Sequence, residues 1–224
     1  MIRETIKPRR LRLIDKRERW GLTVCGWVAV VIVASAAVLV LISGVHGFLA
    51  IECPVKGELL VVEGWIPDYA IPRGISEFEK KGYRRLVVVG GPILLGSHLA
   101  GYRSYAELGR ARLMALGFSD ERVMVLETRD IKKDRTYESA VAVKHWIALN
   151  GAKVKGLDIY TLGAHARRSR LLFQKAFGKD VVIGVVAADD QTYDPKSWWR
   201  YSNGVRTALS ELIAYLYAAI FFHP

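Results

Sequence analysis

The chain has 224 residues, of which 51% are hydrophobic and 25% are charged, and its formal net charge is +11. This composition excludes a disordered or collagen-like chain, and the length fits one ordinary domain with an appendage, or two very small domains. There are two cysteines, and neither belongs to a Cys-x-x-Cys pair, which excludes a disulfide framework and a structural zinc site.

A strongly basic segment and then an uncharged one open the chain. Residues 1–21 carry eight basic and three acidic side chains, and residues 22–42 hold no charge over 21 positions. About 20 apolar residues cross a bilayer core as a helix, and this run is longer than a signal-peptide core. We therefore predict a transmembrane signal anchor at 22–42, with the basic segment in the cytoplasm and the rest exported. This position explains the basic residues without a nucleic-acid partner.

Residues 43–57 are predicted to be a linker, and residues 58–224 an exported α/β domain. Continuous apolar runs are typical of strands buried on both faces of a parallel sheet. Such runs lie at 59–62, 86–89, 123–126, 157–160 and 181–183. Helical patterns separate and follow them, near 72–81, 102–116, 137–149, 166–177 and 204–221. This alternation predicts a three-layer sandwich with a mostly parallel sheet. The last apolar run is too short for a second membrane span, so we predict a packing helix.

Several motifs of nucleotide and hydrolase chemistry are absent from the sequence. There is no Gly-x-Gly-x-x-Gly, no phosphate loop with its lysine, no nucleophile elbow and no His-Glu-x-x-His. These absences leave a dinucleotide enzyme, a nucleoside triphosphatase or a standard hydrolase without support, and the sequence assigns no cofactor and no metal.

Polar residues and glycines follow the predicted strands at their carboxyl ends, where open parallel sheets bind their ligands. In chain order they are Glu63, Gly90 with Gly91, Glu127, His165, and Asp189 with Asp190. Each one alone is explained by a turn or a solvated loop. Their common location predicts a polar cleft at this edge of the sheet.

The most informative segment is the start of the predicted helix at 166–177. It places His165, Arg167, Arg168 and Arg170 in the opening turns, where the helix already carries partial positive charge. A bound anion such as phosphate would compensate this crowding. Internal ion pairs with Glu63, Glu127 or an aspartate would compensate it equally well, and the sequence leaves both alternatives open.

Two other helix starts contribute candidates. Thr136 is a predicted N-cap, and Glu138 in the first turn suits the helix dipole. Arg73 follows Pro72 at another helix start, where a solvated surface arginine is the simpler explanation.

The order of these pieces resembles the family of bacterial envelope proteins named for ElyC, SanA and YdcF. The resemblance covers nearly the whole exported part. The matching elements, in chain order, are 61–64 (VVEG), Arg73, 87–91 (VVVGG), 104–107 (SYAE), Glu127, 136–140 (TYESA), His165 with Arg168, 198–200 (WWR) and Glu211.

The resemblance implies a Rossmann-like domain held at the bacterial inner membrane by one N-terminal helix. It also implies a role in envelope biogenesis or barrier function, around peptidoglycan and its lipid-linked, phosphate-bearing precursors. It implies no particular reaction.

Two hypotheses of different classes follow. In the first, the protein binds a phosphate-bearing envelope precursor, and a reaction on that precursor is left open. Its candidate catalytic residues are His165, Glu63 and Glu127, and its candidate ligand-binding residues are Arg73, Gly90, Gly91, Thr136, Glu138, Arg167 and Arg168. In the second, the protein is a non-catalytic envelope scaffold that recruits a biosynthetic enzyme. Only the first hypothesis requires the cations to converge with carboxylates in a concave site.

Overall fold

The computed structural model describes residues 22–94, 101–131 and 133–224, so the basic segment 1–21 lies outside the described residues. The chain divides into two compact units, Met1–Val40 and Leu41–Pro224. Helix α1 spans Val24–Leu49 and is the one described helix long and apolar enough to cross a membrane. It continues seven residues into the segment predicted as a linker.

Five parallel strands form the sheet of the second unit, in the order β3-β2-β1-β4-β5. The strands are β1 (Leu59–Glu63), β2 (Arg85–Gly90), β3 (Val123–Glu127), β4 (Gly156–Leu162) and β5 (Val182–Ala188). Strands β1, β2 and β4 are almost entirely buried, because helices cover both of their faces. The predicted fold class is therefore confirmed. Strand β5 ends at Ala188, five residues beyond the apolar run 181–183 that predicts it.

Helices pack on both faces of this sheet. The helices of the domain are α2 (Ile71–Lys81), α3 (Tyr105–Ala115), α4 (Arg135–Leu149), α5 (Ala166–Phe177) and α6 (Ser202–Ile220). Side chains of α2 and α3, such as Phe78 and Leu113, share a core with Val62 and Val88. Side chains of α4 and α5 share the opposite core with alternate strand residues, among them Val61. This arrangement completes the three layers.

The chain reverses its direction of travel across the sheet at β1. Strands β2 and β3 lie on one side of β1, and β4 and β5 lie on the other. A parallel sheet binds ligands at such a switch point, outside the carboxyl ends of the strands. Glu63 is the last residue of β1, and His165 follows the end of β4 by three residues. The topology thus brings these two predicted site residues together.

A buried carboxylate attaches the segment before β1 to the sheet. Asp158, in the middle of β4, accepts hydrogen bonds from the backbone amides of Val55 (2.7 Å) and Gly57 (3.1 Å) and from the hydroxyl of Tyr83 (3.0 Å). Cys53 also exchanges backbone hydrogen bonds with the outer strand β5. These contacts fix where the chain enters the domain.

The end of α1 and helix α6 pack together within the second unit. Ile42 and Val45 contact the cluster formed by Tyr193, Trp198 and Ala208. The Phe48 ring also meets the Tyr215 ring edge to face, with centroids 5.4 Å apart. The domain therefore begins with the last turns of α1.

Candidate functional site

A cavity of about 620 Å³ lies at the carboxyl edge of the sheet. Its lining combines the ends of β1 and β2, the start of α4, the start of α5 and the second half of α6. The charged side chains that line it are Glu63, Arg129, Asp130, Asp134, Arg135, His165, Arg168 and Glu211. The predicted polar cleft is thus present as a partly open cavity, whose four carboxylates are balanced by three arginines and His165 when that histidine is protonated.

Glu63 is the innermost charged group of the cavity wall, and it is buried. The hydroxyl of Thr161 donates to Glu63 Oε2, and the hydroxyl of Ser169 donates to Oε1 at 3.1 Å. The backbone next to it is tightly packed, because a Cβ on Gly64 would lie 2.2 Å from the carbonyl oxygen of Tyr105. These contacts hold the carboxylate in one orientation, facing His165.

His165 sits on a short turn between β4 and α5. Gly163 begins this turn with φ of +42°, a backbone conformation that favours glycine, and a single 3₁₀ turn then leads into α5. The turn directs the buried imidazole between two carboxylates. Its Nδ1 lies 2.9 Å from Glu211 Oε1, and its Nε2 lies 3.6 Å from Glu63 Oε2. The ring also packs edge to face against Trp65, with centroids 4.9 Å apart.

Arg168 and Glu211 form a two-pronged ion pair beside this histidine. Arg168 donates from Nε to Glu211 Oε2 at 2.8 Å and from Nη2 to Oε1 at 3.1 Å. Of the two alternatives for the cations at the α5 start, internal neutralisation therefore operates for Arg168. Its partner is Glu211 from α6, and not Glu63, Glu127 or an aspartate as the sequence predicts for internal ion pairs. The planar guanidinium of an arginine can donate two parallel hydrogen bonds to one carboxylate, and both side chains of this pair are largely buried.

The two carboxylates keep His165 protonated. Burial by itself would lower the pKa of His165, but the charge of Glu63 and the hydrogen bond to Glu211 raise it to about 9. Burial would raise the pKa of Glu211, yet His165 and Arg168 lower it to about 2. Burial would raise the pKa of Glu63 too, but the charges of His165 and Arg168 together with the hydrogen bond from Thr161 lower it. The site at neutral pH therefore holds two carboxylates, an imidazolium and a guanidinium.

One ring nitrogen of His165 remains without a hydrogen-bond partner. A carboxylate can only accept, so Nδ1 carries a hydrogen that it donates to Glu211; Arg168 Nη2, 3.0 Å from Nδ1, is also a donor and is therefore not its hydrogen-bond partner. The 3.6 Å between Nε2 and Glu63 exceeds hydrogen-bond length, and Nε2 has no acceptor among the described residues. A buried N–H of this kind is costly to leave unsatisfied. This buried nitrogen faces Glu63 and belongs to a residue that lines the cavity.

The start of α4 forms another part of the wall. Arg135, Thr136 and Ser139 line the cavity, and Asp134 precedes them. The prediction that Thr136 caps this helix is wrong: the cap position is Asp134, in a left-handed conformation with φ of +56°, and Thr136 is the buried second residue of the helix. The N-terminus of α4, with its partial positive charge, consequently lies at the cavity wall.

Two exposed arginines, Arg129 and Arg135, stand at the side of the cavity formed by the segment before α4. Neither makes an ion pair within the described part of the chain. Asp130 and Asp134 share this wall, but the segment 129–135 also contains Lys132 and Lys133 and carries a formal charge of +2. These two arginines are exposed and unpaired among the described residues, in contrast to Arg168, which pairs with Glu211.

Gly90 and Gly91, where β2 ends, also line the cavity. Gly90 lies against α3, because a Cβ there would approach the Cβ of Tyr105 to 2.9 Å. The predicted binding residues Gly90, Gly91, Thr136 and Arg168 are therefore gathered in one place with His165 and Glu63.

Four other predicted site residues lie elsewhere. Glu127 is exposed and borders a different, shallower depression with Tyr102 and Arg110. Glu138 is in the first turn of α4 but does not line the cavity.

Arg73 and Arg167 attach other parts of the chain to the domain. Arg73 donates to the carbonyl oxygen of Ala187 at 2.9 Å and pairs with Glu52 at 2.6 Å. Arg167 donates to the carbonyl oxygen of Phe48, and its guanidinium lies 4.0 Å from the centroid of the Phe48 ring. Their neighbours are protein groups, and neither arginine faces the cavity.

The sequence predicts no site role for Glu211, although this residue is among those that carry the family resemblance. The sequence does contain an indication of such a role, because Glu211 is the one acidic residue in the apolar helix α6. Thr161 and Ser169 carry no comparable signal, because small hydroxyl residues are common in strands and helices. Their role depends on the pairing of β1 with β4 and on the packing of α5.

Among the described residues, no group of three or more His, Cys, Asp or Glu side chains is arranged to hold a metal ion. Comparison of the chain with protein-family models and with curated proteins finds no match.

Proposed function

We propose that this chain is a membrane-anchored protein of the bacterial cell envelope that binds a phosphate-bearing ligand in the cavity at the carboxyl edge of its sheet. We also propose that it belongs to the ElyC, SanA and YdcF family and acts in envelope biogenesis or barrier function. The precursors of peptidoglycan, including the lipid-linked ones, supply ligands of this class.

The observation that carries the proposal is the unsatisfied Nε2–H of His165 at the wall of the cavity. It belongs to an imidazolium that two carboxylates keep charged. A phosphate oxygen accepts a hydrogen bond and carries negative charge, so it satisfies this donor in both respects. A neutral acceptor would accept the hydrogen bond but would not compensate the charge of the imidazolium.

The rest of the wall supports the same class of ligand. The N-terminal amides of α4 are donors to an anion, and a helix N-terminus of this kind is a common phosphate site. The guanidinium groups of Arg129 and Arg135 can move onto the ligand, because no other described group pairs with them. Glu63 repels an anion, and this repulsion directs the phosphate toward the Nε2–H and the α4 side.

The protonation state of His165 also limits its chemistry. With a pKa of about 9, roughly one molecule in a hundred has a neutral imidazole at pH 7. A general base must be neutral to accept a proton, whereas a general acid must be charged, and the charged ring donates hydrogen bonds from both of its nitrogens. Within the proposed function, His165 is therefore a donor to the ligand, and Glu63 and Glu211 are the residues that keep it protonated.

The membrane part of the proposal uses α1 and the charges before it. The uncharged stretch 22–42 spans the inner membrane, the basic segment 1–21 remains in the cytoplasm, and the domain is exported. This topology places the cavity on the side of the membrane where envelope precursors are used.

The scaffold alternative receives less support from the site. A protein that only recruits an enzyme does not need four ionised side chains converging on one cavity. Here His165, Arg168, Glu63 and Glu211 do converge, and one buried donor is left over.

A calorimetric titration tests the proposed binding. The full chain in detergent micelles is titrated with inorganic phosphate and with ethyl phosphate. Both are expected to bind, and Arg135→Ala is expected to weaken binding roughly tenfold or more, because a hydrogen bond to a charged group contributes about 1.5–3 kcal/mol.

The matched control is Arg84→Ala, which removes an exposed arginine just before β2, at the opposite edge of the sheet. It is expected to leave the affinity unchanged. If neither phosphate binds, or if both variants bind as the unaltered chain does, the proposed ligand class is wrong and the scaffold alternative is favoured.

A further inference from the structure

Helix α6 presents an exposed apolar face within the second unit. We call this face the α6 stripe; its residues are Leu209, Ile213, Leu216, Tyr217 and Ile220, which are 42–67% exposed. Their spacing of three and four residues places them along one side of a helix. No described residue of the domain covers them.

The opposite side of α6 is the one that packs on the domain. It does so through small residues, since Gly204, Ala208 and Ala218 are buried. A Cβ on Gly204 would lie 2.4 Å from the carbonyl oxygen of Trp198, so the helix lies close against its neighbours. The bulky apolar residues of α6 thus point mainly outward, the reverse of the usual arrangement for a helix in water.

The position of α6 next to the end of α1 indicates what covers the stripe. Residues 22–42 carry no charge, and Ile42 packs against the cluster that contains Ala208 of α6. Phe48 contacts Tyr215 of the same helix. Ile42 is the last residue of the uncharged stretch, and Phe48 follows it by six residues, so α6 contacts the chain close to where that stretch ends.

The residues before α6 have the composition of a membrane–water boundary. Trp199 and Tyr201 are about 43% exposed, and such aromatic residues are enriched at bilayer interfaces. Arg200 and Arg206 are exposed beside them and carry the charge that attracts anionic lipid headgroups. Beyond Glu211, α6 contains no charged side chain that would resist contact with lipid.

We propose that the α6 stripe lies in the interfacial layer of the membrane, with the lipid bilayer as its occupant. The inference rests on the membrane attachment proposed above and adds a second contact to it. Tyr217 belongs both to the stripe and to the lining of the cavity, so the bilayer would lie beside the cavity.

Site-specific fluorescence quenching tests this contact. The full chain, with Cys25 and Cys53 replaced by alanine, carries Ile213→Cys labelled with a fluorophore. It is reconstituted in vesicles of phosphatidylcholine and phosphatidylglycerol. Nitroxide groups on the lipids are expected to remove most of the fluorescence, and aqueous iodide to remove little of it. The label at Ile220→Cys is expected to behave in the same way.

The control label is at Leu149→Cys, an exposed leucine at the far end of α4. Iodide is expected to quench it and lipid nitroxide is not. A label at Ile213 that iodide alone quenches overturns the inference, because the stripe then faces water. Protection from both quenchers overturns it in favour of a second copy or another protein.

Flotation of the same sample separates this inference from the proposed attachment. A chain that fails to float with the vesicles contradicts both. A chain that floats, but whose label at Ile213 responds only to iodide, contradicts the α6 contact alone.

Discussion

At the scale of single residues, the site depends on how four buried charges compensate one another. His165 shares Glu211 with Arg168 and also faces Glu63, so each charge has an opposite neighbour. Burying such groups is costly unless each is paired. This balance keeps the pKa of His165 high and leaves its buried Nε2–H without a hydrogen-bond acceptor among the described residues.

Part of this site could be predicted from the sequence. His165 and Arg168 stand three residues apart on one helix face. Glu63 directly follows the apolar run 59–62, which predicts strand β1. Glu211 is distant in sequence from all three, and only the packing of α6 on α5 brings it into contact. No local pattern encodes that contact.

We expect Arg168→Ala to destabilise the folded chain by about 3 kcal/mol, near the lower limit for breaking a buried ion pair. The variant leaves Glu211 largely buried, and His165 compensates only part of its charge. The measurement is urea unfolding of the full chain in detergent, followed by circular dichroism.

Arg110→Ala is the control for this loss. Arg110 also pairs with a carboxylate, Asp120, but both groups are solvent-exposed, and such pairs contribute little. Equal stability of the Arg168 variant and the unaltered chain would mean that the Arg168–Glu211 pair is not structural, which would make Arg168 free to bind an anion.

At the scale of elements, the apolar runs locate every strand because strands buried on both faces need continuous apolar sequence. The boundaries depend on other contacts. Helix α4 begins at Arg135 because Asp134 adopts a left-handed conformation, which no composition rule indicates. Asp158 interrupts the apolar run of β4 for a reason that only the fold shows: it binds the backbone of residues 55–57.

We expect Gly184→Ala to destabilise the domain by about 3 kcal/mol or more. The new Cβ would lie 1.9 Å from Asp158 Oδ1 and 2.7 Å from the amide nitrogen of Val55, so it forces apart the contact that attaches the entry segment to the sheet. Urea unfolding of the full chain measures the loss.

Gly47→Ala provides the comparison, because it makes the same chemical change in a helix where nothing lies within 4 Å of the added Cβ. It is expected to be neutral or to stabilise the chain by up to about 1 kcal/mol through helix propensity. Similar stability for the two glycine variants would show that Asp158 does not hold the entry segment.

At the scale of the whole molecule, the sequence separates the chain into an uncharged stretch and an α/β domain. The structure likewise has two compact units, with the change between Val40 and Leu41. The structure shows in addition that α1 continues into the domain, where the last turns of α1 pack on α6. This continuation was not predictable, because residues 43–49 have neither charge nor a clear helical pattern to distinguish them from a linker.

Reporter fusions test the proposed topology. A reporter that is active only outside the cytoplasm is expected to be active when fused after Pro224 and silent when fused before Trp20, because the basic flank precedes a single span. The reverse pattern would contradict the proposed orientation. A mature protein without residues 1–42 would contradict the anchor itself.

The central claim is that an imidazolium at His165 offers its Nε2–H to a phosphate, and nitrogen-15 NMR of the histidine ring tests it directly. The His165 signals are identified by their loss in His165→Gln. We expect both ring nitrogens to carry hydrogen at pH 7, and we expect the ring to lose one of these two hydrogens near pH 9. Ethyl phosphate should shift the Nε2 signal to a saturating value, and this shift should weaken in Arg135→Ala. A neutral ring at pH 7, or an Nε2 signal that no concentration of ethyl phosphate moves, would contradict the account.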